Sequence, residues 1–489
     1  MQSLAIERRG GRFRCAFILI EGHAMNGPLQ DMTDGILPSS RYGRDDRDNG
    51  PASAHAALLP VGRVFEEFPL TREHFKSCFA LFFVFVIEAW EMMIIVYCGP
   101  LISKDLNLSA TQLGNLIGAM FVGMAIGAVF WGSVADKIGR KKATILSLLL
   151  YGVISMASAF APDYGMLYAL RLLSGIVAAG MIVVCFPYFT ELLPMRSRGP
   201  LTVYLAAGWP VGVLLAVGAT VLLMPYGWRW VIGVSSLGGL WAIGVALWVQ
   251  ESPYWLVGTG QQQKAREVIS RLSRGAVVVP ASQTLCVDKA ARGPIREVFK
   301  GRILRITVLQ IAINFTFSWG YWGLQTWLPV LLQQRGLSLP QSYGFIAISA
   351  LFMVPGYICS SYLTGKFGRK KVFTAFVASA AIAGYAFATA QTIDALYVSN
   401  FVLVFFSLGA WGVWNVWVAE LYPTRVRTAG YSWAVFAQRF ANIVAPGTIG
   451  LLVAGGASFD LTTTFIDLFL VATVLLALFL PETEGGKLS

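Results

Sequence analysis

Charged residues are scarce in this chain of 489 residues. Asp, Glu, Lys and Arg together make up 13% of the sequence, whereas hydrophobic residues make up 56%. Soluble domains average roughly 25% charged residues. The composition therefore excludes an ordinary soluble globule and predicts a chain that crosses a membrane many times. The net charge of +12 does not indicate nucleic-acid binding, because the cations lie between apolar runs and not along one face.

Histidine and cysteine are also rare. The three histidines, His23, His55 and His74, all precede the first long apolar run, and the six cysteines form no CxxC pair. Neither a disulfide framework nor a metal site is expected from this pattern. Without a nucleophile–base set or a cofactor motif, the chain is predicted not to be an enzyme and to carry no cofactor.

Long apolar runs dominate the rest of the sequence. Each is close to the ~20 residues that a helix needs to cross the hydrocarbon core, and the alternation of a membrane barrel is absent. The sequence thus predicts an all-α membrane protein with twelve transmembrane helices. The expected spans are 76–98, 110–132, 143–161, 166–189, 200–223, 229–249, 304–330, 341–364, 372–390, 395–419, 429–453 and 460–480.

The cations of the connecting loops predict the orientation. Loops after spans 2, 4, 8 and 10 carry twelve: Lys137, Arg140, Lys141, Lys142, Arg196, Arg198, Lys366, Arg369, Lys370, Lys371, Arg425 and Arg427. The loops after spans 1, 3, 5, 7, 9 and 11 carry only Lys104, Arg229 and Arg335. Because positive loops stay in the cytoplasm, both termini are expected there, with the protein in the cell membrane.

Five segments follow from these features. Residues 1–70 are polar and aperiodic, so we expect a mostly disordered cytoplasmic tail; a natural start at Met25 or Met32 explains the segment equally well. Residues 71–250 and 304–480 form two six-helix bundles. Residues 251–303 form a cytoplasmic central loop, and 481–489 a cytoplasmic C-terminal tail.

An internal repeat relates the two bundles. The stretch GSVADKIGRKK from Gly132 aligns with SYLTGKFGRKK from Ser361, and ELLPMRSRG from Glu191 aligns with ELYPTRVR from Glu420. Both pairs are 229 residues apart, which indicates duplication. Six spans per half give both halves the same topology, so they are expected to be parallel repeats around a cavity at the membrane midplane.

These motifs resemble a known family. The GRKK stretch after Asp136 is similar to the loop 2–3 signature of the major facilitator superfamily, and ELLPMRSRG, ESPYWL and PETEG are similar to signatures of its sugar porters. IEAWEMMIIVYCGP, RLLSG and AQRFANIVAPG resemble the synaptic-vesicle-glycoprotein-like branch, which includes nicotinate permeases and borders aromatic acid/proton symporters. The resemblance spans about residues 70–487 and implies a secondary transporter. Gly365, where the second signature usually has an acid, departs from the pattern.

The charged turns have two interpretations. In resembling transporters the acid at Asp136 meets a helix N-terminus of the other half, a contact that the helix dipole stabilises by roughly 0.3–1 kcal/mol. Arg140 is expected to pair with Glu191, and Arg369 with Glu420, as two copies of one cytoplasmic latch; Arg198 and Arg427 belong to the same repeated motifs. The alternative is that these charges only anchor the topology.

Charged residues inside spans cost roughly 2.5–3.5 kcal/mol on insertion scales, so each needs an explanation. Glu88 and Glu91 share a face of span 1. Glu91 and Arg171 of span 4 have similar expected depths, which predicts a pair. Burial and the neighbouring carboxylate favour a neutral Glu88. We therefore expect Glu88, Glu91 or the two together to carry a transported proton; a static pair between spans 1 and 4 is the alternative.

The second half supplies the candidate substrate groups. Arg439 in span 11 either binds a substrate carboxylate or pairs with Asp467 of span 12. Aromatic and amide side chains of spans 7 and 10 suit a flat organic solute, although tryptophan is also common at membrane interfaces. These candidates are Trp322, Gln325, Trp411, Trp414 and Asn415.

The sequence therefore predicts a proton symporter for a small organic carboxylate with an aromatic ring. It is expected to work as a monomer, and its expected partners are the substrate, protons and the lipid bilayer. A sugar or polyol symporter and a proton-driven exporter are alternatives within the transporter class. A receptor that binds a solute without moving it is an alternative from another class.

Overall fold

The computed structural model describes residues 58–66, 68–287, 295–423 and 426–483. In the separate unit Met1–His55 it describes only two antiparallel strand pairs, β1 (Leu4–Ala5) with β4 (Ala16–Phe17) and β2 (Arg8–Arg9) with β3 (Arg12–Phe13). Up to residue 57, the rest of the N-terminal tail, which the sequence predicts to be disordered, lies outside the described residues. The C-terminal tail lies outside them from residue 484 onward.

Long helices make up the N-terminal half. After strand β5 (Leu58–Pro60) and helix α1 (Val61–Val64), the chain forms α2 (Arg72–Asp105), α3 (Ala110–Ile138), α4 (Arg140–Ala159), α5 (Tyr164–Glu191), α6 (Arg198–Ala206), α7 (Gly208–Leu223), α8 (Trp228–Ser235) and α9 (Ala242–Trp248). Helices α6 and α7 together form the fifth span. A 3-10 turn at Ser236–Trp241 joins α8 to α9 in the sixth.

The described part of the central segment is small. It contains α10 (Pro253–Gly258), α11 (Gln262–Leu272) and strand β6 (Thr284–Cys286), which pairs in parallel with β5. The backbone N–H of Met195 donates to the carbonyl oxygen of Phe65 at 2.9 Å. Residues 58–66, which the sequence placed in a disordered tail, are ordered instead, because β5 and the segment around α1 are held against the central segment and the N-terminal half.

The C-terminal half repeats the pattern with six helices: α12 (Gly301–Gln334), α13 (Leu339–Phe367), α14 (Arg369–Thr389), α15 (Ile393–Glu420), α16 (Arg427–Ala454) and α17 (Phe459–Ala477). Within the described ranges, eleven helical segments are long and apolar enough to cross a membrane. Helix α16, with 28 residues, is long enough to be the twelfth span and carries Arg439 near its middle. The all-α fold with twelve spans is confirmed.

The repeat governs how the helices begin. Ser109 caps α3 and Gln112 bonds back to it, and Ser338 caps α13 with Gln341 in the same way. These residues are also 229 positions apart. Gly139 and Gly368 turn the chain between helices with φ of 101° and 94°, a region that favours glycine. Both halves thus use the same local chemistry at matching positions.

Close helix packing is duplicated as well. A Cβ at Gly127 of α3 would overlap the carbonyl oxygen of Ile176 in α5, and a Cβ at Gly356 of α13 would overlap that of Phe405 in α15. The four residues match at the same offset. Small residues allow such close backbone approach between transmembrane helices, so each half is a tightly packed bundle.

The two halves meet along α3 with α16 and along α7 with α13. Near the start of α3, a Cβ on Gly114 would lie 2.5 Å from the carbonyl oxygen of Pro446. The hydroxyl of Tyr343 donates to the carbonyl oxygen of Tyr97 at 2.6 Å. These contacts lie at the end of the helices opposite to the GRKK motifs. We call this end the distal end.

Replacing Gly356 by leucine should lower the free energy of unfolding by roughly 1–3 kcal/mol or more, since the new side chain must displace the backbone of α15. The control is Gly218→Leu in α7, a helical glycine with open space around it. Thermal stability of the two detergent-solubilised variants, followed by fluorescence-detected size exclusion, compares them. Equal losses in both variants would contradict the packing described.

Candidate functional site

A buried ion pair joins the first and fourth spans. Arg171 Nη1 lies 2.8 Å from Glu91 Oε1, and both side chains are fully buried. Arg171 Nη2 also donates to the hydroxyl of Ser158 at 2.7 Å, and the hydroxyl of Ser174 bonds to Glu91. The predicted Glu91–Arg171 pair is confirmed. Its added hydrogen bonds offset part of the cost of burying two charges.

The expected depth of Glu91 is wrong, although the pair is right. Helix α2 continues through Pro100 to Asp105 instead of ending at residue 98. Glu91 therefore lies roughly 21 Å from that helix end, and Arg171 roughly 10 Å from the start of α5, at 1.5 Å per residue. The two meet because α2 extends further toward the distal end than the apolar run indicates.

Glu88 is buried differently from Glu91. Its side chain is fully buried, and neither carboxylate oxygen has a hydrogen-bond partner among the described residues. The cation whose charge acts on Glu88 is Arg439 of α16. Arg439 lies near the middle of its helix and is partly exposed. No hydrogen bond joins the two side chains, so Arg439 of the other half acts on Glu88 only through its charge.

Arg439 does not pair with Asp467, the structural alternative raised by the sequence. One oxygen of Asp467 contacts Gly384 of α14, and this oxygen has no hydrogen-bond partner in the part of the chain that the structure describes. Asp467 borders a cavity of about 20 Å³ inside the C-terminal half, together with Gln325. Arg439 of α16 and Asp467 of α17 therefore have different neighbours, although the sequence places them at a similar depth.

The aromatic candidates divide into two groups. Trp322 contacts two rings of the N-terminal half, Phe121 at 5.3 Å and Trp209 at 5.6 Å between centroids. Trp411 packs against Phe317, with centroids 4.6 Å apart, and against Tyr321 at 6.2 Å. Of these residues, Trp322 lies at the boundary between the two halves.

The other three substrate candidates make no hydrogen bond or ring contact with the N-terminal half among the described residues. Trp414 donates from Nε1 to Asn314 at 2.9 Å and stacks on Phe373, so it is part of the core of the C-terminal half. Gln325 borders the cavity beside Asp467. The Asn415 side chain is exposed.

A network of charges surrounds the first GRKK motif. Arg140 Nη1 lies 2.8 Å from Asp136 Oδ1, and Arg140 Nε lies 3.6 Å from Glu191 Oε2. The backbone N–H groups of Arg140 and Lys141 donate to Glu251 at 2.9 and 3.2 Å. A carboxylate is favourable at this helix N-terminus. The predicted Arg140–Glu191 pair is confirmed.

The second motif repeats the network. Arg369 Nη2 lies 3.1 Å from Glu420 Oε1, so this predicted pair is also confirmed. The backbone N–H groups of Arg369 and Lys370 donate to Glu482 at 3.0 and 3.3 Å. Thr483 bonds to Glu420 at 2.7 Å, and Ser252 bonds in the same way to Glu191.

The remaining motif residues have local roles here. Arg198 donates to the carbonyl oxygen of Leu193 at 3.1 Å and to the hydroxyl of Tyr254 at 3.0 Å. Arg427 is the first residue of α16. The side chain of Asp136 is 74% exposed and bonds to Arg140 of its own half. The contact of Asp136 with the other half, which the resemblance implies, is not made in this conformation.

Sequence reasoning missed two features of these sites. The sequence indicated Glu251 and Glu482 only as part of the ESPYWL and PETEG stretches, and the structure shows that each accepts hydrogen bonds from the N-terminus of a helix. Asn442, three residues after Arg439, is fully buried, and neither polar atom of its side chain has a partner among the described residues. The signal for Asn442 was its place in the apolar run after Arg439. No group of three or more metal-ligating side chains occurs in the described ranges.

Two six-helix halves of one topology, with buried charged side chains inside their spans, indicate a multi-pass membrane transporter. The family model of the Major Facilitator Superfamily matches residues 81–446, so the chain belongs to this superfamily. The predicted family membership is confirmed.

Individual relatives agree with this membership. The niacin transporter NiaP of Acinetobacter baylyi is 30% identical over 431 residues, which cover 87% of this chain and 98% of that protein. The synaptic vesicle 2-related protein of Xenopus laevis is 26% identical and covers 82% of this chain and 77% of its own. A partially occluded inward-open structure of the xylose transporter XylE from E. coli has a TM-score of 0.70 at 18% identity, covering 85% and 99% of the two chains. The likeness to XylE shows the fold alone.

The two buried acids of α2 should respond differently to neutralisation. Glu91→Gln leaves Arg171 charged and unpaired in the bundle, so it should cost roughly 3–5 kcal/mol of stability. Glu88→Gln removes a carboxylate that has no hydrogen bond and whose attracted cation, Arg439, is partly exposed, so it should cost clearly less stability than Glu91→Gln. Melting temperatures of the purified variants test this. A Glu88→Gln protein that is as unstable as Glu91→Gln would contradict the assignment of Glu91 as the structural acid.

Proposed function

We propose that this protein is a proton-coupled symporter of small aromatic carboxylates that works by alternating access. The single observation that carries the proposal is Glu88 of α2, a fully buried carboxylate with no hydrogen-bond partner among the described residues. Glu88 and Arg439 of α16 both lie inside membrane spans, where an isolated charge is costly and marks a transport pathway. The A. baylyi relative and the E. coli structural neighbour named above are transporters.

Glu88 is the group that takes the proton. The ionisable neighbours that act on it or are acted on by it are Arg439, Glu91 and Cys185 of α5. Glu91 is already held by Arg171, so Glu88 is the acid of α2 without a cation of its own half. When Glu88 is ionised it attracts Arg439; when it is protonated that attraction is lost.

Arg439 is the group that binds the substrate. A guanidinium binds a carboxylate through two parallel hydrogen bonds. Protonation of Glu88 frees the Arg439 guanidinium for the substrate. The proton then neutralises Glu88 while the substrate carboxylate binds Arg439, so the two ligands bind together. Trp322 lies at the same boundary and offers a flat apolar surface to an aromatic ring. The A. baylyi relative is named a niacin transporter, which favours a small aromatic carboxylate as the substrate.

The charge networks at the GRKK motifs complete the cycle. We place them in the cytoplasm, with both termini, in a monomer in the cell membrane. Asp136 is exposed in this conformation, and the halves touch at the distal end, so the state is the one open toward the motifs. In the opposite state Asp136 would contact a helix N-terminus of the other half, while the Arg140–Glu191 and Arg369–Glu420 pairs hold each half rigid.

The test of coupling is uptake into proteoliposomes. With an inward proton gradient, the parent protein should accumulate labelled nicotinate or benzoate above equilibrium. Glu88→Gln should abolish this accumulation but keep substrate exchange between the two sides, because exchange needs no net proton movement. Asp467→Asn, which neutralises a buried acid of the C-terminal half, is the matched control and should still accumulate substrate. Gradient-driven accumulation by Glu88→Gln would contradict the role of Glu88.

The test of the carboxylate site compares a charged substrate with its neutral analogue. Arg439→Gln should raise the KM for nicotinate roughly 10- to 100-fold, the range expected for losing charge-assisted hydrogen bonds. Inhibition by nicotinamide, which has no carboxylate, should change much less. An equal loss for both would contradict the role of Arg439. Transport of hexoses in the same assay, or export driven by the gradient, would favour the two alternative transporter functions.

A further inference from the structure

Asn442 is a buried amide with unmet hydrogen-bonding capacity. The residue is fully buried, and neither Nδ2 nor Oδ1 has a hydrogen-bond partner in the part of the chain that the structure describes. Leaving such a buried donor or acceptor unpaired costs about 1–3 kcal/mol per group. An arrangement with this cost calls for a polar group that the protein chain itself does not supply.

The position of Asn442 places this amide beside the proposed carboxylate site. Residues three apart on a helix are neighbours, with Cβ atoms about 5–6 Å apart, so Asn442 lies one turn from Arg439 toward the distal end. Pro446 lies a further turn along the same face. Its carbonyl oxygen accepts from Trp327 of α12 at 3.0 Å and faces Gly114 of α3. This face of α16 is therefore directed to the junction of the two halves.

Resting on the proposed function, we propose that Asn442 recognises a hydrogen-bonding heteroatom in the ring of the substrate, while Arg439 holds its carboxylate. The separation of the two side chains suits a single six-membered ring that bears the two groups. The amide donates from Nδ2 to a ring nitrogen, or accepts at Oδ1 from a ring donor. The substrate class is thus a heteroaromatic carboxylate rather than a purely hydrocarbon one.

The test uses two acids of nearly equal shape. Nicotinate and benzoate differ in one ring atom, nitrogen against carbon–hydrogen. In proteoliposomes the parent protein should transport nicotinate with the higher kcat/KM. Asn442→Leu should lower kcat/KM for nicotinate about tenfold or more and leave that for benzoate unchanged or higher, because a site built for a hydrogen bond discriminates strongly against a substrate without it.

Several results would overturn this inference. An unchanged ratio between the two acids in Asn442→Leu would show that an internal water or the other conformation satisfies the amide. Equal loss for both acids would show a packing role. If the leucine variant does not fold, Asn442→Ser is measured in the same way, with the same expected loss of preference.

Picolinate and isonicotinate, with the nitrogen at the other two ring positions, extend the test. A preference of the parent protein for one of the three positional isomers, lost in Asn442→Leu, supports a fixed direction of the ring. Equal transport of all three and of benzoate by the parent protein contradicts recognition by the amide. If the parent protein transports none of the four, the proposed function fails as well, whereas loss of discrimination alone leaves it intact.

Discussion

The attraction between Glu88 and Arg439 is the interaction on which the account of this protein depends. The ion pairs Glu91–Arg171, Arg140–Glu191 and Arg369–Glu420 each join residues of one half, so they move with that half when it rotates. Glu88 and Arg439 belong to different halves, so in the proposed mechanism their attraction changes when the halves move apart. Because both groups lie in the membrane, where charges are costly, we propose that a proton and a substrate carboxylate replace this attraction.

Duplication supplies the rigid bodies that such a mechanism needs. The helix caps Ser109 and Ser338 and the close contacts at Gly127 and Gly356 recur at one offset. The two charges of the proposed transport site do not recur. At the offset of 229, Phe317 corresponds to Glu88, and Pro210 corresponds to Arg439. The repeated positions build the scaffold, and the unrepeated ones distinguish the two halves chemically.

The sequence predicted what depends on position along the chain. The apolar runs were sufficient for the twelve helices. The positions of the charges predicted the Glu91–Arg171 pair, and the repeated motifs predicted both arginine–glutamate pairs. The direction in which a side chain points around its helix was not predictable, because it depends on packing against distant helices. For this reason the sequence left Arg439 open between a substrate and Asp467, and did not single out Asn442. It also misplaced the end of α2, since the helix continues through Pro100.

Proton uptake on substrate binding tests the central claim most directly. Isothermal titration calorimetry of the purified protein with nicotinate, in two buffers of different ionisation enthalpy at one pH, gives the number of protons taken up per substrate. If Glu88 is ionised before binding, linkage requires an uptake approaching about one proton for the parent protein and none for Glu88→Gln. Binding without proton uptake across the pH range, or equal uptake by the parent and Glu88→Gln, would contradict exchange of Arg439 between Glu88 and the substrate.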